Sequence, residues 1–204
     1  MRRLVFMLTP AMFLLLISCS WFQKTYYTDF DSDDGKFSFN EADSETFDTG
    51  EIADGSLHLK STVNDEYGSG AQAVFSEEIP VKSSVSFTVT FGSQFNTQHP
   101  RGHFNFFQTD PDSRMVFMAG PSTLSYFVSV DGETESYDIK DMVFNEDTAY
   151  EFEFKFKPMA IYIYVDESFV NVIDYPEGLP LSGDFIFECH NEYWVDNFGY
   201  EILE

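Results

Sequence analysis

The chain is poor in cysteine, in basic residues and in long apolar runs. Its 204 residues hold two cysteines, 11 Lys and Arg against 35 Asp and Glu, and one extended apolar stretch, at the N-terminus. Two cysteines cannot build the disulfide framework of a small secreted scaffold. A formal net charge of −24 repels nucleic acid and anionic headgroups, which excludes both as electrostatic partners and leaves cationic ones, divalent metal ions among them. Histidine is scarce too, and His58, His99, His103 and His190 show none of the paired spacings of a tetrahedral site, which argues against zinc. No segment has a helical apolar period, and no nucleophile elbow, phosphate loop or dinucleotide fingerprint occurs.

What the chain has in plenty is aromatic side chains. With 24 Phe, 11 Tyr and 43% hydrophobic residues, strong acidity does not mean disorder here, and a large core is expected. The apolar period is two. Tyr150, Phe152, Phe154 and Phe156 alternate with Glu151, Glu153, Lys155 and Lys157, the pattern of a half-buried strand. Val85, Phe87, Val89 and Phe91 predict a second strand, and Ile161, Ile163 and Val165 against Tyr162 and Tyr164 a third. Further strands are expected near 56–61, 71–77, 103–108, 114–119, 123–130, 134–139, 168–174, 184–190 and 195–203. Turn signals such as Asp54-Gly55, Asp131-Gly132 and Ser182-Gly183 separate them. Many short antiparallel strands without helices imply an all-β, two-sheet β-sandwich.

The N-terminus reads MRRLVFMLTPAMFLLLISCS, a positive pair followed by an apolar stretch shorter than the ~20 residues of a membrane span. Leu16-Ile17-Ser18-Cys19 resembles the lipobox of bacterial lipoproteins. That resemblance implies cleavage before Cys19, lipid on its sulfur and its new amino group, and, from Ser20, delivery to the outer membrane of a two-membrane cell. Two or more acyl chains anchor stably where one does not. The expected division is a signal peptide over 1–18, a lipidated tether over 19–28 and one domain over 29–204. The mature chain then carries −26, since only Arg2 and Arg3 are lost among charged residues. Cys189 is left without an intradomain partner and reads as a small buried hydrophobe beside Phe185 and Phe187.

Four stretches resemble the concanavalin A-like lectin/glucanase superfamily, in particular its laminin-G-like jelly rolls. They are YTDFDSDDGKFSF with DGSLHLKS, RGHFNFFQTDPDSRMVFMAG, AIYIYVDESFVNVI and GDFIFECHNEYWVDNFGYEIL. In the third, Glu167 stands where the hairpin pattern has Gly, so a non-glycine residue is expected at a turn position favouring positive φ.

Members of that superfamily that hydrolyse glycans carry Glu-x-Asp-x-(x)-Glu on a central strand. Glu41-Ala42-Asp43-Ser44-Glu45 matches the letters but lies in a polar stretch without alternation and reads as a solvated loop. Glu151 and Glu153 share one strand face and are the alternative catalytic candidates, although Lys155 and Lys157 continue that face as in an ion-paired solvent surface. Asp29, Asp31, Asp33 and Asp34 around Gly35 suit a structural calcium ion, with Asp196 as a companion implied by the resemblance; an Asp-rich turn also occurs simply as a solvated loop. His99, Arg101, His103, Tyr162 and Tyr164 offer hydrogen bonds and aromatic faces suited to a sugar. The leading expectation is a lipid-anchored, non-catalytic module that binds carbohydrate or another envelope component. A divergent glycoside hydrolase and a purely structural lipoprotein are the alternatives.

Overall fold

A computed structural model describes residues 25–40, 49–61, 70–94, 97, 99–110 and 112–203. Among them lie sixteen strands and no helix: β1 (Thr25–Thr28), β2 (Phe37–Asn40), β3 (Thr49–Ala53), β4 (Ser56–Lys60), β5 (Ala71–Phe75), β6 (Ile79–Pro80), β7 (Ser83–Phe91), β8 (Gly102–Asp110), β9 (Ser113–Ala119), β10 (Thr123–Val130), β11 (Glu133–Asp141), β12 (Ala149–Lys157), β13 (Ala160–Val165), β14 (Ser168–Asp174), β15 (Ser182–Cys189) and β16 (Glu192–Ile202). One sheet runs β14-β13-β12-β7-β16-β4-β3, with β1 also on β16. The other runs β11-β10-β9-β8-β15-β5-β2, with β6 also on β15.

The alternation explains why the sheets pack. On β12, Tyr150, Phe152, Phe154 and Phe156 are buried, while Glu151 and Lys157 are exposed. Phe87, Phe104 and Phe106 meet them between the sheets, and Phe185, Phe187 and Phe198 continue the same cluster, with ring centroids 4.7–6.1 Å apart. Each buried Phe contributes roughly 1.5–3 kcal/mol relative to exposure. Cys189 is fully buried, and its sulfur accepts the Asn191 N–H at 3.4 Å.

Short two-residue turns set the registers. Asp54-Gly55, Asp131-Gly132 and Asp166-Glu167 each have positive φ at both positions, the geometry of a type I′ hairpin. Glu167 takes this conformation (φ 59°) without being glycine, as its place in the motif predicts.

The strands missed by the alternation are β1, β2, β3 and β6, which are too short, at five residues or fewer, to show a period. One boundary needs correcting. The tether expected through Thr28 is already sheet from Thr25, because β1 pairs with Phe198–Glu201 of β16. The proposed signal peptide, Cys19 and the Glu41–Glu45 stretch lie outside the described residues.

One irregularity positions the functional face. β8 carries a bulge at Phe106–Phe107, where Asn105 pairs with Ile186 and Gln108 with Asp184. Phe107 adopts φ 57°, so both phenylalanines point into the core. Gly183 makes room for this: a Cβ there would lie 2.6 Å from the Phe107 carbonyl carbon.

Candidate functional site

β8 is the middle strand of its sheet path. Its outward side chains are His103 and Asn105, and after the bulge Gln108, which pairs across to the exposed Asp184. On the neighbouring β15 the outward residues are Asp184, Ile186 and Glu188, followed by His190 in the turn to β16. Register puts Glu188 directly beside His103. Asp184 and Glu188 are four residues apart on one strand, roughly 13 Å by strand rise.

A tight polar cluster results. His190 Nε2 lies 3.0 Å from Glu188 Oε1. Asn105 Nδ2 donates to Glu188 Oε2 at 3.3 Å and to the Ile186 carbonyl at 3.4 Å. The His190 ring stacks on His99 (4.5 Å, 8°) and meets His103 edge-on at 5.0 Å. Asn105, Glu188 and His190 are buried. Three buried atoms of this face have no hydrogen-bond partner: His103 Nε2, Asn105 Oδ1 and Arg114 Nε. One ligand atom from each of His103, Glu188 and His190 lies within 4.8 Å of the other two, the only such cluster of His, Cys, Asp and Glu among the described residues.

Electrostatics follow from burial and neighbours. Desolvation outweighs the pull of Glu188 and lowers the His103 pKa to about 4, leaving a neutral imidazole at physiological pH. For Glu188 burial acts upward, but the His190 hydrogen bond and the charges of His103, His190 and Arg114 win and hold it at about 2. Asp184 is raised by burial and by Glu78.

The argument against zinc considered histidine spacing along the chain, whereas His103, Glu188 and His190 meet only across paired strands. The ligand-type residues come from two strands distant in sequence, so no local spacing reveals them. RGHFNFFQTD holds His103, Asn105 and Gln108, but only the bulge puts them on one face.

The other sequence candidates are dispersed. His99 and His103 join the cluster, whereas Tyr162 and Tyr164 lie on the outer face of the opposite sheet. There Lys157 covers the Tyr162 ring at 4.7 Å and Lys155 the Tyr164 ring at 4.8 Å. Arg101 turns to the Gly92 carbonyl (3.3 Å) and Glu146 (3.7 Å). Glu153 binds Lys155 at 3.0 Å and accepts the Ser84 hydroxyl at 3.0 Å, while Asp166 accepts the Glu151 N–H at 2.9 Å. On that face Glu153 is thus engaged by Lys155 and Ser84, while the two lysines lie over tyrosine rings.

The acidic turn is similarly engaged. Asp29, Asp33 and Asp34 accept the backbone N–H of Asp31, Gly35 and Lys36, and Asp34 also accepts the Tyr26 hydroxyl. Burial raises the Asp196 carboxyl, partly offset by a hydrogen bond with Ser56. No three carboxylates of Asp29, Asp31, Asp33, Asp34 and Asp196 converge as the His103 cluster does. A separate cleft of about 980 Å³ opens between β10–β11 and the β14–β15 connection, lined in part by Tyr126, Tyr137 and Tyr175 with Glu135 and Asp174.

No protein-family model and no curated protein sequence matches the chain. Solved structures do. A Bacillus licheniformis β-glucanase superposes with a TM-score of 0.65 at 10% identity, covering 88% of this chain and 98% of that one. A carbohydrate-binding module from Bacillus subtilis gives 0.60 at 13% identity, covering 81% and 95%. The fold is a glucanase-type jelly roll. A pseudo β-1,3-glucanase of Mycobacterium tuberculosis shares this jelly roll, with a TM-score of 0.60, 10% identity and coverage of 88% and 98%. At such identities the likeness is one of architecture.

Proposed function

We propose that this jelly roll is a non-catalytic binding module for carbohydrate or another envelope polymer, exported and held to the outer membrane of its cell by lipid on Cys19. A carbohydrate-related role is supported by structural neighbours that include glucanases and a carbohydrate-binding module. The observation that carries the non-catalytic reading is the inventory of β8. His103-x-Asn105-x-x-Gln108 stands in the spacing Glu-x-Asp-x-x-Glu, with the bulge at Phe106–Phe107 taking up the extra residue. Neutral side chains occupy all three positions.

Glycoside hydrolysis requires two carboxyl groups about 5–5.5 Å apart for retention or 6.5–9.5 Å for inversion, one of them protonated. Glu188 is held ionised and so cannot donate a proton to a leaving oxygen. Asp184, at roughly 13 Å along the strand, is too distant to complete a pair. Gln108, Gln72, Ser125 and Phe127, all partly exposed on this face, provide amides, a hydroxyl and a ring edge for a sugar.

The test combines a glycan array with a hydrolysis panel of β-glucans. Binding to at least one polymer, weakened about tenfold by Gln108→Ala through loss of a hydrogen bond, is expected, without turnover. Turnover that disappears in Glu188→Gln would overturn the reading, as would an array and envelope pull-downs with no reproducible ligand.

A further inference from the structure

Three of the four histidines of the chain gather around one buried carboxylate on the outer face of the β8–β15 sheet. A buried His–Glu pair alone satisfies itself and needs no ligand. Here a third group breaks that economy: His103 brings a ring nitrogen within 4.8 Å of the ligand atoms of Glu188 and His190, and its Nε2 is buried without a partner. Leaving a buried polar atom unpaired costs about 1–3 kcal/mol. A neutral imidazole nitrogen left without a partner is a free electron-pair donor, the form in which histidine binds a metal ion.

We propose that His103, Glu188 and His190 form a binding site for a divalent first-row transition ion of the zinc type. Two imidazole nitrogens and one carboxylate oxygen are a borderline donor set that suits zinc and its neighbours rather than calcium or magnesium, which take oxygen alone. The fit is close. His190 Nε2 and Glu188 Oε1 are already 3.0 Å apart, near the edge of a tetrahedron, and the whole set lies within 4.8 Å. Closing that set onto bonds of about 2.1 Å needs a side-chain shift of roughly half an ångström.

Supporting contacts have the character of an outer coordination layer. Asn105 Nδ2 holds the second oxygen of Glu188, and His99 stacks flat on His190 and fixes its ring plane. The backbone is equally fixed, because Asn191 beside His190 donates its Nδ2 to the Pro100 carbonyl at 3.0 Å and its own carbonyl accepts the Ser61 N–H at 2.8 Å. Arg114, whose guanidinium also faces Glu188 and His103, opposes the cation, while the −24 charge of the chain favours it. Three protein ligands leave at least one coordination position for water or a ligand oxygen.

The site goes beyond the sugar-binding reading and is tested without sugar, so that either can fail alone. Purified, tag-free protein is stripped with chelator and titrated with Zn²⁺ in excess Ca²⁺, which saturates surface carboxylates. One zinc per chain and a raised melting midpoint are expected. Cobalt(II) should give visible ligand-field bands. His103→Gln and His190→Ala should each weaken zinc by roughly 100-fold and abolish the bands. His103→Gln removes a ring nitrogen that has no hydrogen-bond partner, so it keeps the test valid if His190→Ala fails to fold. Absence of zinc binding, or equal binding in His103→Gln, would overturn the proposal.

Discussion

His103 illustrates how burial alone sets chemistry. Its folded pKa, about 4, lies below the ordinary 6.5, so between those values the unfolded chain takes up a proton that the folded chain refuses. Stability must therefore fall as pH falls through that window. In chelator-treated protein, the share due to His103 between about pH 7 and pH 5 is on the order of 2 kcal/mol. His103→Gln should lose that much less than the parent over the same interval, measured by urea unfolding at the two pH values. An identical pH dependence in the two proteins would show that His103 titrates normally. Glu188 acts with the same sign in a lower window: depressed to about 2, it stabilises fully above its unfolded value of 4.5, and that contribution is lost as pH falls toward 2.

Turns and bulges are where the elements decide matters. The Asp166-Glu167 hairpin holds Glu167, an exposed side chain, at φ 59°. Glycine occupies that region without the Cβ penalty, so Glu167→Gly should stabilise the domain by about 1 kcal/mol despite its greater unfolded-state entropy. A rise in the thermal midpoint is the expected result, and a drop would mean the side chain holds the hairpin in another way. Gly183 tests the bulge from the other side. A Cβ 2.6 Å from backbone cannot be accommodated by rotating a side chain. Gly183→Ala should cost about 2 kcal/mol or more and displace Gln108, seen as chemical-shift changes along β8. Unchanged shifts along β8 would separate Gly183 from the bulge.

At the scale of the whole molecule, charge and anchor are linked. A mature chain with 9 basic and 35 acidic residues after loss of Arg2 and Arg3 is repelled by anionic lipid. Lipid on Cys19 is then the contact that holds the protein to its membrane under the proposed function. Cys19→Ala should move it from membrane to soluble fractions on cell fractionation, and continued sedimentation with membranes would dismiss the anchor. The two sheets, meanwhile, put different chemistry on their outer faces. One is covered by ion pairs and lysine–tyrosine contacts; the other carries a buried cluster of an amide, imidazoles and a carboxylate.

Period-two alternation made the strands on either side of the core legible: β7, β12 and β13 follow directly from Val85–Phe91, Tyr150–Phe156 and Ile161–Val165. That pattern is local, since each strand shows its own buried face. The all-β class followed as well, because alternating strands without helices cover their apolar faces by packing sheet against sheet. The His103–Glu188–His190 cluster was not legible, nor was the grouping of His103, Asn105 and Gln108. Pairing of β8 with β15 and a single-residue bulge create both, and register between distant strands is a property of the assembled sheet. The sequence determined which residues face outward; only the tertiary structure decided which of them meet.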